Sequence, residues 1–477
     1  MFFLILAAAV AVAIWSLVIG KRAGFFSAKT FTFALPGVAL LIVGSVFSYD
    51  FFHIASGPIP ITLDRLLLVA LCGIFGALVL RRRTVIKLPD TTDWLVVAIL
   101  AALLLSALMT DWTFKGNRPI SRWLFFYMMP ATLYFLIRQT RIRDVELKWI
   151  SIVFVLFGIY LALTAVAESR GWYSLVFPTY IRNEELIEFL GRGRGPFMNP
   201  VSNGIYITVC LGAAMLLFWH SRSTMKLAAL AALPILAIGV LATLTRSVWL
   251  GMGIGAGLIA WLPAKRRQRG YLLVVAALVG VIGLISLGDK LVQFKRDKHV
   301  TLNQMSESAQ LRPIFIVVAV EMFQDHPFRG CGFGQYARAR MKYVNQANTG
   351  YEMRKAKDYL QHNVFLSFLT ETGLIGFSLL VLLLLKATQV SLMLFKNPNA
   401  SSWARGYALL LICLLTSYCI NGMFHDVSIV PMANMLLFFI LAIVANQQAA
   451  FAPTVAGLPV TTTTVNTESS KRLFGYN

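Results

Sequence analysis

The sequence predicts an all-α polytopic membrane protein, with about twelve to fourteen transmembrane helices and a large, partly helical periplasmic loop. Three observations carry that prediction. Of 477 residues, 58% are hydrophobic and 13% charged, far more apolar side chain than a soluble core of this size needs. The apolar residues come in repeated runs of spanning length. Basic clusters fall between alternate runs, which fixes an orientation in a bilayer.

Residues 2–20 are apolar, without a basic start or a clean small-residue cleavage site, and read as a retained helix. Further runs cover about 31–49, 63–80, 94–109, 120–137, 149–167, 201–219, 227–244, 247–262, 271–288, 363–385, 405–422 and 428–446. The chain thus divides into amino-terminal helices over 1–288, a loop domain over 289–361, carboxy-terminal helices over 362–447 and a disordered, threonine-rich cytoplasmic tail over 448–477.

Lys21-Arg22, Arg81-Arg82-Arg83, Arg138 with Arg141 and Arg143, Arg222 with Lys226, and Lys265-Arg266-Arg267 with Arg269 share one side when the runs alternate. The positive-inside rule makes that side cytoplasmic, and in a bacterium the opposite side is the periplasm. The net charge of +22 is explained by topology before nucleic acid. The outer segments are nevertheless basic, with Arg170, Arg182, Lys290, Lys295, Arg296, Lys298, Arg329, Arg338, Arg340 and Lys342 among others. Long loops cross regardless of charge, so a basic outer face remains, suited to phosphates at headgroup level. The competing reading is a solvated basic loop that binds nothing.

Within the long loop, Leu311, Ile314, Phe315, Val318 and Met322 recur at helical spacing and predict an amphipathic helix. Asp325-His326-Pro327 stops it, and Gly330, Gly332 and Gly334 mark a tight turn rather than a nucleotide loop. The five cysteines form no disulfide framework or zinc site. The outer segments contain no Asp-x-Asp or Glu-x-Asp pair, and no His-Glu-x-x-His or Gly-x-Ser-x-Gly motif occurs, so neither a metal nor any other cofactor is expected. Few ionisable residues lie mid-span, which argues against an ion-coupled transporter.

What remains are arginines and one histidine at the outer rim. Arg192 and Arg194 lie in Gly191-Arg192-Gly193-Arg194-Gly195-Pro196-Phe197-Met198-Asn199-Pro200, where glycines allow close backbone approach. Arg246 sits in a short hairpin between two apolar runs, where a buried charge must be paired or face a wet cavity. Arg312 opens the loop helix. Each could instead be an interfacial arginine with its stem in lipid. His362 and Asn363 stand where a helix enters the bilayer, whose positive dipole end favours a neutral imidazole. At 100° per residue Gly373 and Gly376 lie within about 40° of His362, so a second helix is expected to approach there. An anchoring or capping role for His362 is the competing reading.

His362, Asn363, Gly373 and Gly376 fit the pattern His-[Asn/Ser/Gln]-x9-Gly-x-x-Gly, and Arg246 and Leu250 fit Arg-x3-Leu. With Arg194-Gly195-Pro196-Phe197-Met198-Asn199-Pro200 and the turn after Asp325, the chain resembles the O-antigen ligase and O-antigen polymerase superfamily, most clearly over 190–385. Val201 stands where that family often has asparagine. The resemblance implies transfer of a glycan from undecaprenyl pyrophosphate to an acceptor hydroxyl, without metal. It also implies Arg194, Arg246, Arg312 and Arg192 on the pyrophosphate and His362 as base. Lipid A–core is the first expected acceptor; a growing polysaccharide or a protein would make the chain a polymerase or an O-oligosaccharyltransferase. A transporter of lipid-linked glycans is the reading from a different class, and it would need charges along a central path rather than at the rim.

Overall fold

In the computed structural model the described residues are 32–54, 60–81, 84, 86–115, 118–183, 189–271, 273, 302–344 (backbone alone over 302–310), 357 and 361–451. They form helices α1 (Ala34–Val46), α2 (Leu63–Leu80), α3 (Thr91–Leu108), α4 (Pro119–Arg138), α5 (Asp144–Arg170), α6 (Pro200–His220), α7 (Ser223–Ala242) and α8 (Arg246–Trp261). After these come α9 (Leu302–Asp325), α10 (Tyr336–Val344), α11 (Val364–Lys396), α12 (Ser402–Gly422) and α13 (Pro431–Phe451).

Among the described residues nine helices are long and apolar enough to cross a membrane: α2 to α7 and α11 to α13. The expected runs at 31–49 and 247–262 appear as the shorter α1 (13 residues) and α8 (16 residues). The expected run at 2–20, nearly all of 271–288, Lys21-Arg22, the loop residues Lys290, Lys295, Arg296 and Lys298, and the tail from 452 lie outside the described residues. α11 runs on past the expected end near Leu385 because Ala387, Val390 and Leu394 keep an apolar face buried to Lys396.

The interior is built on α6, α12 and α13, which are apolar all round and buried on most sides. Small residues bring helices together: a Cβ on Gly158 of α5 would lie 2.4 Å from Cys210 of α6. α2, by contrast, buries only Leu68 and Leu71 and presents apolar side chains outward, as a lipid-facing helix does. Inside α4, Pro130 cannot donate to Phe126 O, and Leu124–Met128 winds as a π-helix. The freed carbonyl accepts from Asn434 Nδ2 of α13 at 3.0 Å. Arg138, 6% exposed, is held by Asp90 and Asp93, the pairing that a charge within the span requires.

Hydrogen bonds define the two ends of the bundle. At one end Lys87 N donates to Gln139 Oε1 (2.8 Å), Ser401 Oγ to Asp144 Oδ1 (2.6 Å), and His220 lies on Trp403. The basic clusters around Arg138–Arg143 and Arg222 gather there. At the other end Gln335 Nε2 donates to Asp111 O (2.7 Å) and Asn363 Nδ2 to Met423 O (3.0 Å).

That second end carries the loop helices. The expected amphipathic helix is α9, and Leu311, Ile314, Phe315, Val318 and Met322 are buried in a cluster with Tyr336, Tyr343 and Val344 of α10. Asp325, where α9 stops, accepts from Lys342 Nζ and Tyr343 Oη, both at 2.7 Å. Gly330, Gly332 and Gly334 then take φ of +66°, +107° and +77°, a left-handed turn open to glycine.

Candidate active site

His362 precedes α11, and Asn363 is its N-cap: Oδ1 accepts from Phe365 N (2.8 Å) and Leu366 N (3.0 Å). The same side chain donates to Met423 O, fixing the start of α11 to the turn after α12. That turn supplies His425, whose ring stands edge to face with His362 at 6.4 Å between centroids. α9 lies across α11 and brings Phe315 to 5.6 Å from the His362 ring. One turn earlier on the same face, Arg312 places its guanidinium carbon 5.3 Å from the centre of the Phe424 ring. His362 itself is exposed. Arg312, His362 and His425 therefore share one rim, built from three separate parts of the chain.

Arg246 reaches the same end by a different route. α8 runs antiparallel to α12, with Gly255 against Cys413 and Gly251 against Ser417 and Asn421. That register carries the first residue of α8 to the level of the Met423–His425 turn. The expected burial of Arg246 is corrected: it is exposed, because it begins a helix instead of lying inside the hairpin.

Arg192 and Arg194 are differently situated from the sequence expectation. They are 1% and 0% exposed, with their guanidinium groups on protein partners. Arg194 Nη2 donates to Ile181 O (2.7 Å) and Asn183 O (3.1 Å), and its Nε lies 3.8 Å from Glu168 Oε2. Arg192 Nη2 donates to Thr245 Oγ1 (2.6 Å), the residue before Arg246. A Cβ on Gly193 would meet Ala165 at 2.5 Å, so this glycine admits a helix, not a ligand. Glycine-flanked arginine signals close backbone approach, but only the packing shows which surface approaches.

Gly373 and Gly376 also correct an expectation. Among the described residues, the neighbour at Gly373 is the turn over Phe328–Gly330 and not a second helix. The glycine has φ +62° and ψ −160°, a break within α11, and an added Cβ would lie 2.4 Å from Phe328 C. Into that break fits the turn after α9: Cys331 N donates to Thr370 O (2.8 Å), Gly332 N to Glu371 O (2.9 Å), and Leu374 N to Pro327 O (2.8 Å). Gly376 faces Thr372 of its own helix. Opening the α11 ladder frees carbonyls and amides, and the loop backbone takes them up.

The break is braced by a buried ion pair that the sequence reading did not single out. Arg122 Nη1 donates to both carboxylate oxygens of Glu371 (3.1 and 2.9 Å), with the Phe333 ring 4.7 Å from the guanidinium. A charged residue inside each of two apolar runs was the available signal. His425 was visible too, but the proximity of the two histidines depends on the α12–α13 turn.

A family model described as O-antigen ligase matches residues 231–381, which include Arg246, Arg312, His362, Gly373 and Gly376. Over residues 231–381 the chain is similar to the O-antigen ligase superfamily. Arg192 and Arg194 lie outside the matched stretch. A search of curated proteins finds no match. The superfamily is one of membrane glycosyltransferases of ligase and polymerase type, whose partners are in general a lipid-linked glycan and an acceptor.

Proposed function

We propose that the protein transfers a glycan from undecaprenyl pyrophosphate to an acceptor hydroxyl at the periplasmic face of the bacterial inner membrane, as an O-antigen ligase acting on lipid A–core. The observation that carries this reading is the shared rim of Arg312, His362 and His425, at the end of the bundle where Arg246 begins α8.

The chemistry needs two things. A sugar hydroxyl is a poor nucleophile, and His362 accepts its proton as the oxygen attacks the anomeric carbon, a contribution of ~10²–10⁴-fold. The anomeric carbon–oxygen bond to the diphosphate breaks as the new bond forms, and the diphosphate leaves with the electron pair. Arg246 and Arg312 carry the charge that develops on it, in place of a divalent ion. Attack opposite the leaving group inverts the anomeric centre. Arg192 and Arg194 act from beneath, holding the segment against which the Arg246 hairpin rests. The lipid tail lies along apolar helix faces.

The test is in-vitro transfer by purified protein from a lipid-pyrophosphate glycan to lipid A–core, in the presence of chelator. Product with inverted linkage is expected. Absence of transfer to lipid A–core, with transfer instead to free polysaccharide ends, would make the protein a polymerase. Loss of product on chelation would end the arginine-for-metal assignment.

A further inference from the structure

A cavity of about 400 Å³ opens beside His362, within the size range of small-ligand pockets. The chain turns about this boundary: Gln361 and Asp426 line the cavity, while their neighbours His362 and His425 face each other on the rim with Arg312. Phe125, Phe126 and Tyr336 supply aromatic walls, and Arg122 and Glu371 lie paired at its side. Lys115 and Arg118 stand exposed at its mouth, and among the described residues neither has a carboxylate within ion-pair distance. Gln361 is only 3% exposed, yet neither its Oε1 nor its Nε2 makes a well-formed hydrogen bond among the described residues, although Tyr336 stands alongside. A buried amide left in that state is stabilised by a polar ligand.

We infer that this cavity is the acceptor subsite and that it takes a sugar bearing an anionic group, a phosphate or a carboxylate. The inference rests on the glycosyltransferase reading. Aromatic faces, the paired Arg122 and Glu371, and Asp426, which accepts from Ser428 Oγ, suit a sugar ring and its hydroxyls. The two cations at the mouth suit the anion. On that reading the donor diphosphate is held by Arg246 and Arg312, neither of which lines the cavity, so the acceptor sugar and the leaving group would occupy separate places near His362.

The experiment titrates the detergent-purified full chain with glucose 6-phosphate, glucuronic acid, glucose and inorganic phosphate, and separately with undecaprenyl pyrophosphate. Two variants probe the cavity: Arg118→Asn, since asparagine tolerates the left-handed backbone found there (φ +41°), and Ser121→Phe, which fills the wall. At least one sugar anion should bind at least about tenfold more tightly than glucose, and both variants should lose about that factor. Which anion binds identifies the source, phosphorylated or acidic sugar. Undecaprenyl pyrophosphate binding should be unchanged in both variants and reduced in Arg246→Gln. Loss of undecaprenyl pyrophosphate binding in Arg118→Asn would overturn the inference, because the cavity would then be the donor site. Equal binding of phosphate and glucose 6-phosphate, insensitive to Ser121→Phe, would also overturn it. Cavity-dependent sugar binding with no undecaprenyl pyrophosphate binding by the unaltered protein would keep the sugar site and remove the glycosyltransferase reading.

Discussion

The imidazoles of His362 and His425 meet edge to face, 6.4 Å between centroids, although one precedes α11 and the other follows α12. Asn363 is the reason: its side chain caps α11 and grips Met423 O, so the two turns are held together by one residue. His362→Ala is expected to abolish transfer while the protein still inserts and folds, measured as product formed by purified protein of unchanged thermal stability. His425→Ala should lower the rate and alter its pH profile if the second ring tunes the first. An unchanged profile would limit His425 to packing.

Arginine substitutions should divide into two classes. Arg246→Ala and Arg312→Ala remove exposed charges, so folding should persist and the KM for donor should rise. Arg194→Ala leaves Glu168 in the interior with its cation gone, a loss of roughly 3–5 kcal/mol. Thermal unfolding in detergent reads that loss directly, and a stable, donor-defective Arg194→Ala would return Arg194 to the ligand.

Gly373→Ala forces a side chain into a left-handed position 2.4 Å from the Phe328 backbone. The turn over Pro327–Gly332 should detach from α11, seen as faster amide exchange at Cys331 and Gly332 and reduced transfer. Gly376→Ala brings no left-handed backbone strain, and its cost should come from the clash with Thr372, whose Oγ1 would lie 2.0 Å from the new Cβ.

The Arg122–Glu371 pair predicts asymmetry. Removing either partner leaves a buried charge and should cost about 3–5 kcal/mol, whereas Arg122→Met with Glu371→Leu should recover most of the stability. A double-mutant cycle in unfolding experiments checks this. Additive losses would mean that the two charges act separately.

Acid should loosen the loop helices. Hydrogen bonds from Lys342 and then Tyr343 hold the Asp325 carboxyl below its ordinary value. A depressed carboxylate stabilises the fold above its unfolded pKa, about 3.9, and loses that contribution as pH falls through the lower folded value. Amide protection in α10 should fall across that window, and Asp325→Asn should remove the dependence.

Much of this was legible in one dimension. Spanning runs follow from composition, and the loop helix from the period of Leu311, Ile314, Phe315, Val318 and Met322, because burial of one face is a local demand. The membership of Arg246, Arg312 and His362 in one family pattern was also readable, since the pattern is a matter of residue identity and spacing. Tertiary structure alone decided which way the side chains face. It turned Arg192 and Arg194 inward, because the carbonyls, Thr245 and Glu168 that satisfy them come from distant segments. It made Gly373 a seat for a turn rather than a helix, and it joined Gln361 and Asp426 in one cavity. Direction and neighbourhood arise from contacts remote in sequence, which periodicity and spacing do not encode.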